Sequence, residues 1–273
     1  EPWRFEGLYS AEDELNSLMW NYLQKRNRVL IGVDNYWLSQ PLRTEINHRH
    51  SVYIEGGAEH IRFGIELRYD NENGVMKKSY RDRMGAGVTL DYRFKGVQIR
   101  NQVSYDVVKA KDSPYGDFGD YTSKQPYDYW RDPDTGELLQ TTTQWGNYGG
   151  SSDNPLYEAV IGNYSKNGYS ELTNNLALNW YINDYLLIKG QFAVSYKDSH
   201  TDKFTDPESG TYGRIDLFKK GDLAKERKEE MNWNMNVFGA YNRTLGLHNF
   251  NFSAGFNVKA TKDDYTKSKY RGF

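Results

Sequence analysis

Long stretches of alternating apolar and polar residues constrain the fold of this chain more than any other feature. Between His60 and Asp70, five apolar side chains occupy every second position: Ile61, Phe63, Ile65, Leu67 and Tyr69. Asp82 to Phe94 repeats the pattern. Successive side chains of a β-strand point to opposite faces, so a period of two indicates a strand with one apolar and one polar face.

The lengths of these stretches narrow the fold class further. Typical strands of soluble proteins have about 5–6 residues, and a strand that crosses a bilayer at a tilt near 45° needs about 9–11. Most of the alternating stretches reach or exceed the longer value, which favours membrane-spanning strands. The predicted strands are Arg49–Gly56, His60–Asp70, Asp82–Phe94, Val97–Val108, Tyr169–Ile182, Tyr185–Asp198, Glu230–Arg243 and His248–Thr261.

The connections between the predicted strands alternate strictly between short and long. Four have hairpin size and carry turn residues, and they alternate with the long segments 71–81, 109–168 and 199–229. An up-and-down arrangement places all short turns at one end and all long loops at the other, as in outer-membrane barrels. We therefore predict an all-β fold, an antiparallel up-and-down transmembrane β-barrel segment of about eight long strands.

The composition agrees with a barrel wall. Only 37% of the 273 residues are hydrophobic and 15% are aromatic, whereas soluble domains contain about 45–50% apolar residues. A wall with one face towards lipid and the other towards water needs apolar residues at only half of its strand positions. The net charge of −2 argues against a nucleic-acid partner, and the absence of cysteine excludes disulfides and zinc–thiolate sites.

The amino-terminal segment has a different period. Leu15, Leu18, Met19, Tyr22 and Leu23, which we name the apolar stripe, follow helical spacing and predict an amphipathic helix from Ala11 to about Arg26. We expect residues 1–48 to form an outer-loop segment that carries this helix. Residues 49–273 are expected to form a partial β-barrel, with long outer loops at 109–168 and 199–229.

Several short motifs resemble one family of outer-membrane proteins, the SusC/RagA-type TonB-dependent transporters. Ser51 to Glu59 resembles the family's strand and Gly-Gly turn, and Asn73 to Lys77 resembles its short outer loop. Asn154-Pro155-Leu156-Tyr157 resembles an Asn-Pro-Leu segment of a long outer loop, and Tyr36-Trp37 lies where the family often places a tryptophan. The order and spacing of these motifs make the resemblance specific.

The resemblance implies a function in transport. Such transporters have about 22 strands around an internal plug, so the chain would supply roughly a third of the barrel wall. The family imports oligosaccharides or peptides across the bacterial outer membrane, driven by the TonB complex. That complex would act through the plug, which has no match in this chain. The expected partners are a SusD-like surface lipoprotein as a cap, the oligosaccharide or peptide ligand, and the lipid bilayer.

Aromatic residues crowd the segment 109–168, and they supply the candidate ligand-binding residues Tyr127, Tyr129, Trp130, Trp145 and Tyr148. Aromatic ring faces at these positions would stack on sugars or contact a lid protein. The same rings would equally serve to hold a long loop together. The sequence leaves both interpretations open.

Metal and catalytic sites are not expected. The segments 132–137 and 206–210 combine Asp, Pro and Gly like weak calcium loops, but this composition is also common in turns. The five histidines are dispersed, and no nucleophile motif is present. We therefore expect a protein without cofactor, metal or enzymatic activity.

The alternative function is that of a soluble, aromatic-rich carbohydrate-binding β-sandwich. A third possibility, an outer-membrane hydrolase barrel, is disfavoured because the sequence lacks a catalytic constellation.

Overall fold

A computed structural model describes residues 11–143, 145, 150–213 and 215–272. Eight long strands form one antiparallel sheet in the order β1-β2-β3-β4-β7-β8-β9-β10. This arrangement confirms the predicted fold class. The strands are β1 (His48–Ala58), β2 (Ile61–Asn73), β3 (Tyr80–Phe94), β4 (Val97–Lys111), β7 (Tyr164–Tyr181), β8 (Leu186–Thr205), β9 (Asp222–Leu245) and β10 (His248–Arg271).

The connections carry the remaining elements. Three helices are α1 (Ala11–Leu30), α2 (Phe118–Thr122) and α3 (Pro155–Glu158), and a small two-stranded sheet pairs β5 (Thr141–Thr143) with β6 (Ser151–Asp153). Single 3₁₀ turns lie at Trp37–Ser39, Gly210–Tyr212 and Leu217–Lys219. Among the described helices, none combines the length and apolar character needed to cross a membrane.

The strand register keeps the two faces of the sheet chemically distinct. Residues directly opposite each other on paired strands share a face. One row across β2, β3 and β4 joins Leu67, Ala86 and Tyr105, and the adjacent row joins Glu66, Gly87 and Ser104. The apolar face and the polar face therefore run across the sheet as the alternation predicts.

The apolar face carries a band of about the thickness of a membrane. On β9 it extends from Tyr241 to Met231, and on β8 from Ile188 to Tyr196. The β9 interval rises roughly 33 Å along the strand, which is about 25 Å along the membrane normal at a barrel tilt of about 40°. That height matches the apolar band of outer-membrane barrels.

Strands β8 and β9 continue beyond this band at the end of the sheet that carries the long loops. β8 runs on to Thr205 and β9 starts at Asp222, whereas the alternation ends at Asp198 and Glu230. The hydrogen-bonded ladder persists there, although the residues on the formerly apolar face become charged: Arg227 donates to Asp198 with a nitrogen–oxygen distance of 2.8 Å. The hydrophobic alternation extends only over the apolar band, so the strand lengths predicted from it are too short.

Candidate functional site

The long connections gather at one end of the sheet, where the amino-terminal segment is fastened to the β2–β3 loop. Leu42 forms an isolated bridge with Met76. The Arg43 amide donates to the Val75 carbonyl oxygen at 2.9 Å, and Lys77 Nζ donates to the Gln40 carbonyl oxygen at 2.6 Å. These contacts hold the segment that follows α1 against the β2–β3 loop.

The connections enclose a small hydrophobic core, which we name the loop core: Trp37, Tyr121 and Leu156. Trp37 is 2% exposed, and its ring lies edge-to-face against Trp130 at 5.3 Å. Its indole N–H donates to the Asp128 carbonyl oxygen at 3.3 Å. Burial raises the pKa of the Tyr121 phenol, so this side chain stays neutral. Trp130, a candidate ligand residue, is therefore engaged in packing.

The Asn-Pro-Leu segment organises the same core. The fully buried Asn154 accepts a hydrogen bond from the Leu156 amide at 3.1 Å and so caps α3, which has Pro155 at its start. Its side-chain amide donates to the carbonyl oxygens of Trp130 at 2.9 Å and Leu139 at 2.6 Å. An asparagine satisfies all three partners at once because it is both donor and acceptor. This motif fixes the shape of the loop.

Three of the candidate aromatics form a second cluster, the aromatic platform: Tyr127, Tyr129 and Trp145. The rings of Tyr127 and Trp145 meet edge-to-face at 5.8 Å, and the Trp145 indole N–H donates to Asp128 Oδ1. Burial raises the pKa of Tyr127. Tyr148, the fifth candidate, lies outside the described residues.

Helix α1 contacts the platform through its polar side. The Arg28 guanidinium lies 4.7 Å from the Tyr129 ring centre and 4.9 Å from that of Trp145, and Lys25 Nζ lies 5.3 Å from the latter. The apolar stripe remains exposed; Leu15 is 60% and Tyr22 59% accessible. The amphipathic helix predicted from the sequence thus presents its polar side to the loops.

A cavity of about 1960 Å³ opens between the loops and the polar face of the sheet. Its lining includes Lys25, Tyr127 and Trp145, whereas Tyr129 and Trp130 do not line it. A volume above the ~300–1,000 Å³ of drug-sized sites can hold an oligomeric ligand. Of the four candidate residues that the structure describes, Tyr127 and Trp145 therefore face space that a ligand could enter.

Charged groups in the cavity wall are mostly committed to loop contacts. Lys124 Nζ donates to the hydroxyls of Thr142 and Ser152, both at 2.7 Å. Burial lowers the pKa of this lysine. Burial also raises the pKa of Asp153, and the nearby carboxylate of Glu158 adds to the effect.

The two Asp-Pro segments serve as turns. Asp132 Oδ1 accepts hydrogen bonds from the amides of Asp134 and Thr135 at 2.8 and 2.9 Å, which lowers its pKa. Asp206 accepts from the Glu208 amide at 2.9 Å and from the Gly162 amide at 3.0 Å. Within the described ranges, no three histidine or acidic side chains converge in a way that could hold a metal ion.

Below the cavity the polar face is lined by hydrogen-bonded amides and ion pairs. On β9 and β10, Asn257 donates to Asn234 at 2.9 Å and Thr261 donates to Asn232 at 2.6 Å. On β2 to β4, Arg68 Nη2 and Arg83 Nε both donate to Asp106 Oδ1, at 3.2 and 3.3 Å. The wall is therefore wettable over its whole width.

Sequence reasoning missed the residues that shape the platform from outside the loop, above all Lys25, Arg28 and Asp128. The only available signal was a pair of cations three positions apart, on a face of α1 separate from the apolar stripe. Their aromatic partners lie more than 100 positions away in the chain. No local pattern connects the two segments.

Comparisons with known proteins agree with this architecture. No protein-family model matches the chain. It is 22% identical over 247 residues to the TonB-dependent receptor SusC of Bacteroides thetaiotaomicron, which covers 80% of this chain and 23% of SusC. The chain thus spans about a quarter of the length of this relative.

Solved structures show the same fold. A structure of the RagAB peptide importer in the closed-closed state superposes with a TM-score of 0.68 at 14% identity, over 89% of this chain and 27% of the other. A second structure, of the RagAB peptide transporter, gives a TM-score of 0.67 at 12% identity, over 98% and 34%. The resemblance to SusC/RagA-type TonB-dependent transporters is confirmed, and the fold of this chain matches a section of the solved RagAB chains.

Proposed function

We propose that this chain is part of a TonB-dependent transporter in the bacterial outer membrane, which imports oligosaccharides or peptides through a polar barrel lumen. The observation that carries the proposal is the two-faced sheet, with its apolar band on one side and the amide-rich wall on the other. Lipid would contact the band, which has the height that outer-membrane barrels need. Water would solvate the opposite face and surround the passing solute.

The polar wall suits transport because it offers many weak contacts. Conduction requires binding that is favourable enough for entry and weak enough for release. Asn232, Asn234 and Asn257 already bond to neighbouring side chains, so they would exchange hydrogen bonds with a ligand at little net cost. A wall of this kind would let a solute pass without the making or breaking of covalent bonds.

In this proposal the loop end of the sheet faces the cell exterior. Residues 1–48 and the long loops at 109–168 and 199–229 form the outer mouth, and residues 49–273 form the barrel section. Of the candidate aromatics Tyr127, Tyr129, Trp130, Trp145 and Tyr148, ligand would first bind on Tyr127 and Trp145, which line the cavity, while Trp130 would support the loop by packing. A SusD-like surface lipoprotein would cap this mouth, and the TonB complex would act on a plug supplied by another part of the protein.

A soluble carbohydrate-binding sandwich is the weaker candidate. A sandwich buries the apolar faces of two packed sheets against each other. The described residues form one large sheet whose apolar face remains open to its surroundings, as Phe63, Leu67 and Met84 show. That arrangement favours a wall in lipid.

Deletion of the full-length gene in the source bacterium tests the proposal. Uptake of fluorescently labelled maltohexaose and of a labelled tripeptide mixture is measured with and without a protonophore, which removes the energy that TonB transmits. We expect loss of energy-dependent uptake of one class of solute, restored by the intact gene. Unchanged uptake of both classes would contradict the proposal.

A further inference from the structure

Two cations, one aromatic ring and one carboxylate contact the half-buried ring of Trp145. Arg28 and Lys25 lie over the ring at 4.9 and 5.3 Å, and the Tyr127 ring meets it edge-on at 5.8 Å. Asp128 accepts its indole N–H. Arg28 also lies over Tyr129. Cations of α1 therefore occupy the ring faces on which a ligand would stack.

We propose that α1 is a latch of the aromatic platform: Lys25 and Arg28 hold the ring faces of Tyr129 and Trp145 until a ligand displaces them. This inference rests on the proposed function, since the latch would regulate access to the same candidate site. A sugar ring and a guanidinium both approach an aromatic face at van der Waals distance, so they cannot occupy it together. Ligand entry and release of the helix are then mutually coupled.

The contacts of α1 have the character of a reversible closure. Arg28 donates to the Tyr127 carbonyl oxygen at 3.2 Å and to Thr143 Oγ1 at 3.3 Å, and water or ligand hydroxyls can replace such bonds at small net cost. The apolar stripe, whose burial would hold the helix more tightly, is exposed. The helix is thus held on the platform by exchangeable polar and cation–π contacts.

The cavity provides the route by which a ligand would reach the latch. Lys25, Tyr127 and Trp145 all line it, so displacement of Lys25 exposes the Trp145 ring directly to the cavity. A ligand can stack on the rings only when α1 has released them. Its apparent affinity is therefore reduced in proportion to the fraction of molecules that are in this open state. Removing the two cations should therefore raise the affinity of a stacking ligand about tenfold.

The experiment uses the full-length transporter in detergent and measures the oxidation rate of Trp145 by hydroxyl-radical footprinting with mass spectrometry. The double variant Lys25→Gln/Arg28→Gln is compared with Arg26→Gln, which removes an exposed cation of the same helix. Lys25→Gln/Arg28→Lys tests whether a cation at position 28 alone restores protection.

We expect Trp145 to oxidise several-fold faster in the variant Lys25→Gln/Arg28→Gln than in Arg26→Gln, with protection largely restored in Lys25→Gln/Arg28→Lys. An unchanged oxidation rate overturns the latch, as does an equal increase in Arg26→Gln, which would reflect general loosening of α1. Footprinting requires no ligand. A failure of the latch therefore remains distinguishable from a failure of import, which the uptake assay reports.

Discussion

At the scale of single residues, the polar face depends on glycines at defined rows. Arg68, Gly85 and Asp106 lie side by side on β2, β3 and β4. The ion pair between Arg68 and Asp106 passes over the middle strand because Gly85 has no side chain there. A Cβ atom at this position would collide with Asp106 Oδ1.

Gly85→Ala should therefore destabilise the barrel by about 1–3 kcal/mol, because the added methyl group displaces a carboxylate that two arginines hold. Gly87→Ala is the matched control, since its Cβ would find no atom closer than 3.7 Å, and it should change stability by about 0.5 kcal/mol or less. Urea unfolding of the full-length barrel in lipid vesicles measures both. Equal effects of the two substitutions would refute the ion-pair explanation.

Asp153 gives a pH-dependent prediction. Burial, reinforced by Glu158, raises its pKa in the folded loop above the unfolded value. The stability linked to this group is therefore present below the unfolded pKa and is lost as the pH rises through the folded pKa. Asp153→Asn should stabilise the loop at pH 7, with the difference fading under acidic conditions.

Thermal unfolding of the full-length protein at pH 7 and pH 4 measures this effect. Asp134→Asn, in an exposed turn, is the control and should leave the transition unchanged at both values. A lower transition temperature for Asp153→Asn at pH 7 would show that the charged form stabilises the loop.

At the scale of elements, each strand presents its two faces to different surroundings. Leu176 lies on the apolar face of β7 beside Phe192, and its neighbour Asn175 lies on the polar face beside Gln102. Both side chains are exposed in the chain described here. Their environments differ only once a membrane covers one face.

Leu176→Arg should therefore cost about 2–4 kcal/mol in a bilayer, because the charge lies near the middle of the apolar band. Asn175→Arg, one position away, should cost far less because its side chain remains in water. The folded fraction of the full-length barrel in vesicles, read from its heat-dependent gel mobility, compares the two variants. Similar losses for both would contradict the assignment of the faces.

At the scale of the whole molecule, the described residues bury their apolar side chains mainly in the connections. Trp37, Tyr121, Leu156 and Tyr212 are buried, whereas large apolar residues of the sheet remain exposed. The described part of β1 pairs with β2 alone, and that of β10 with β9 alone, so two edges of the sheet have unused hydrogen-bonding groups. Both features require surroundings that this section does not provide.

This chain, expressed alone, should therefore associate in water and become dispersed only in detergent. Open sheet edges and a lipid-facing surface both promote aggregation. Size-exclusion chromatography with light scattering, with and without detergent, is the measurement. A monodisperse monomer in plain buffer would contradict the membrane assignment.

The sequence by itself determined the sheet. A period of two is a property of the pleated backbone, so the alternation from Ile61 to Tyr69 identifies a two-faced strand without any knowledge of its neighbours. The short links, such as Lys95-Gly96, then fix antiparallel order. Fold class and the two faces followed from these local signals.

Only the tertiary structure decided how the loops meet. Arg28 lies over Trp145, and Trp37 lies against Trp130, although each pair is separated by more than 90 positions of the chain. The four strands β1 to β4 lie between the members of each pair, and the contacts themselves depend on the combined path of several loops, for which no periodic pattern exists. The same reason explains α1: its amphipathic spacing predicted the helix, but the cations and rings available at the loop end decided which side it presents.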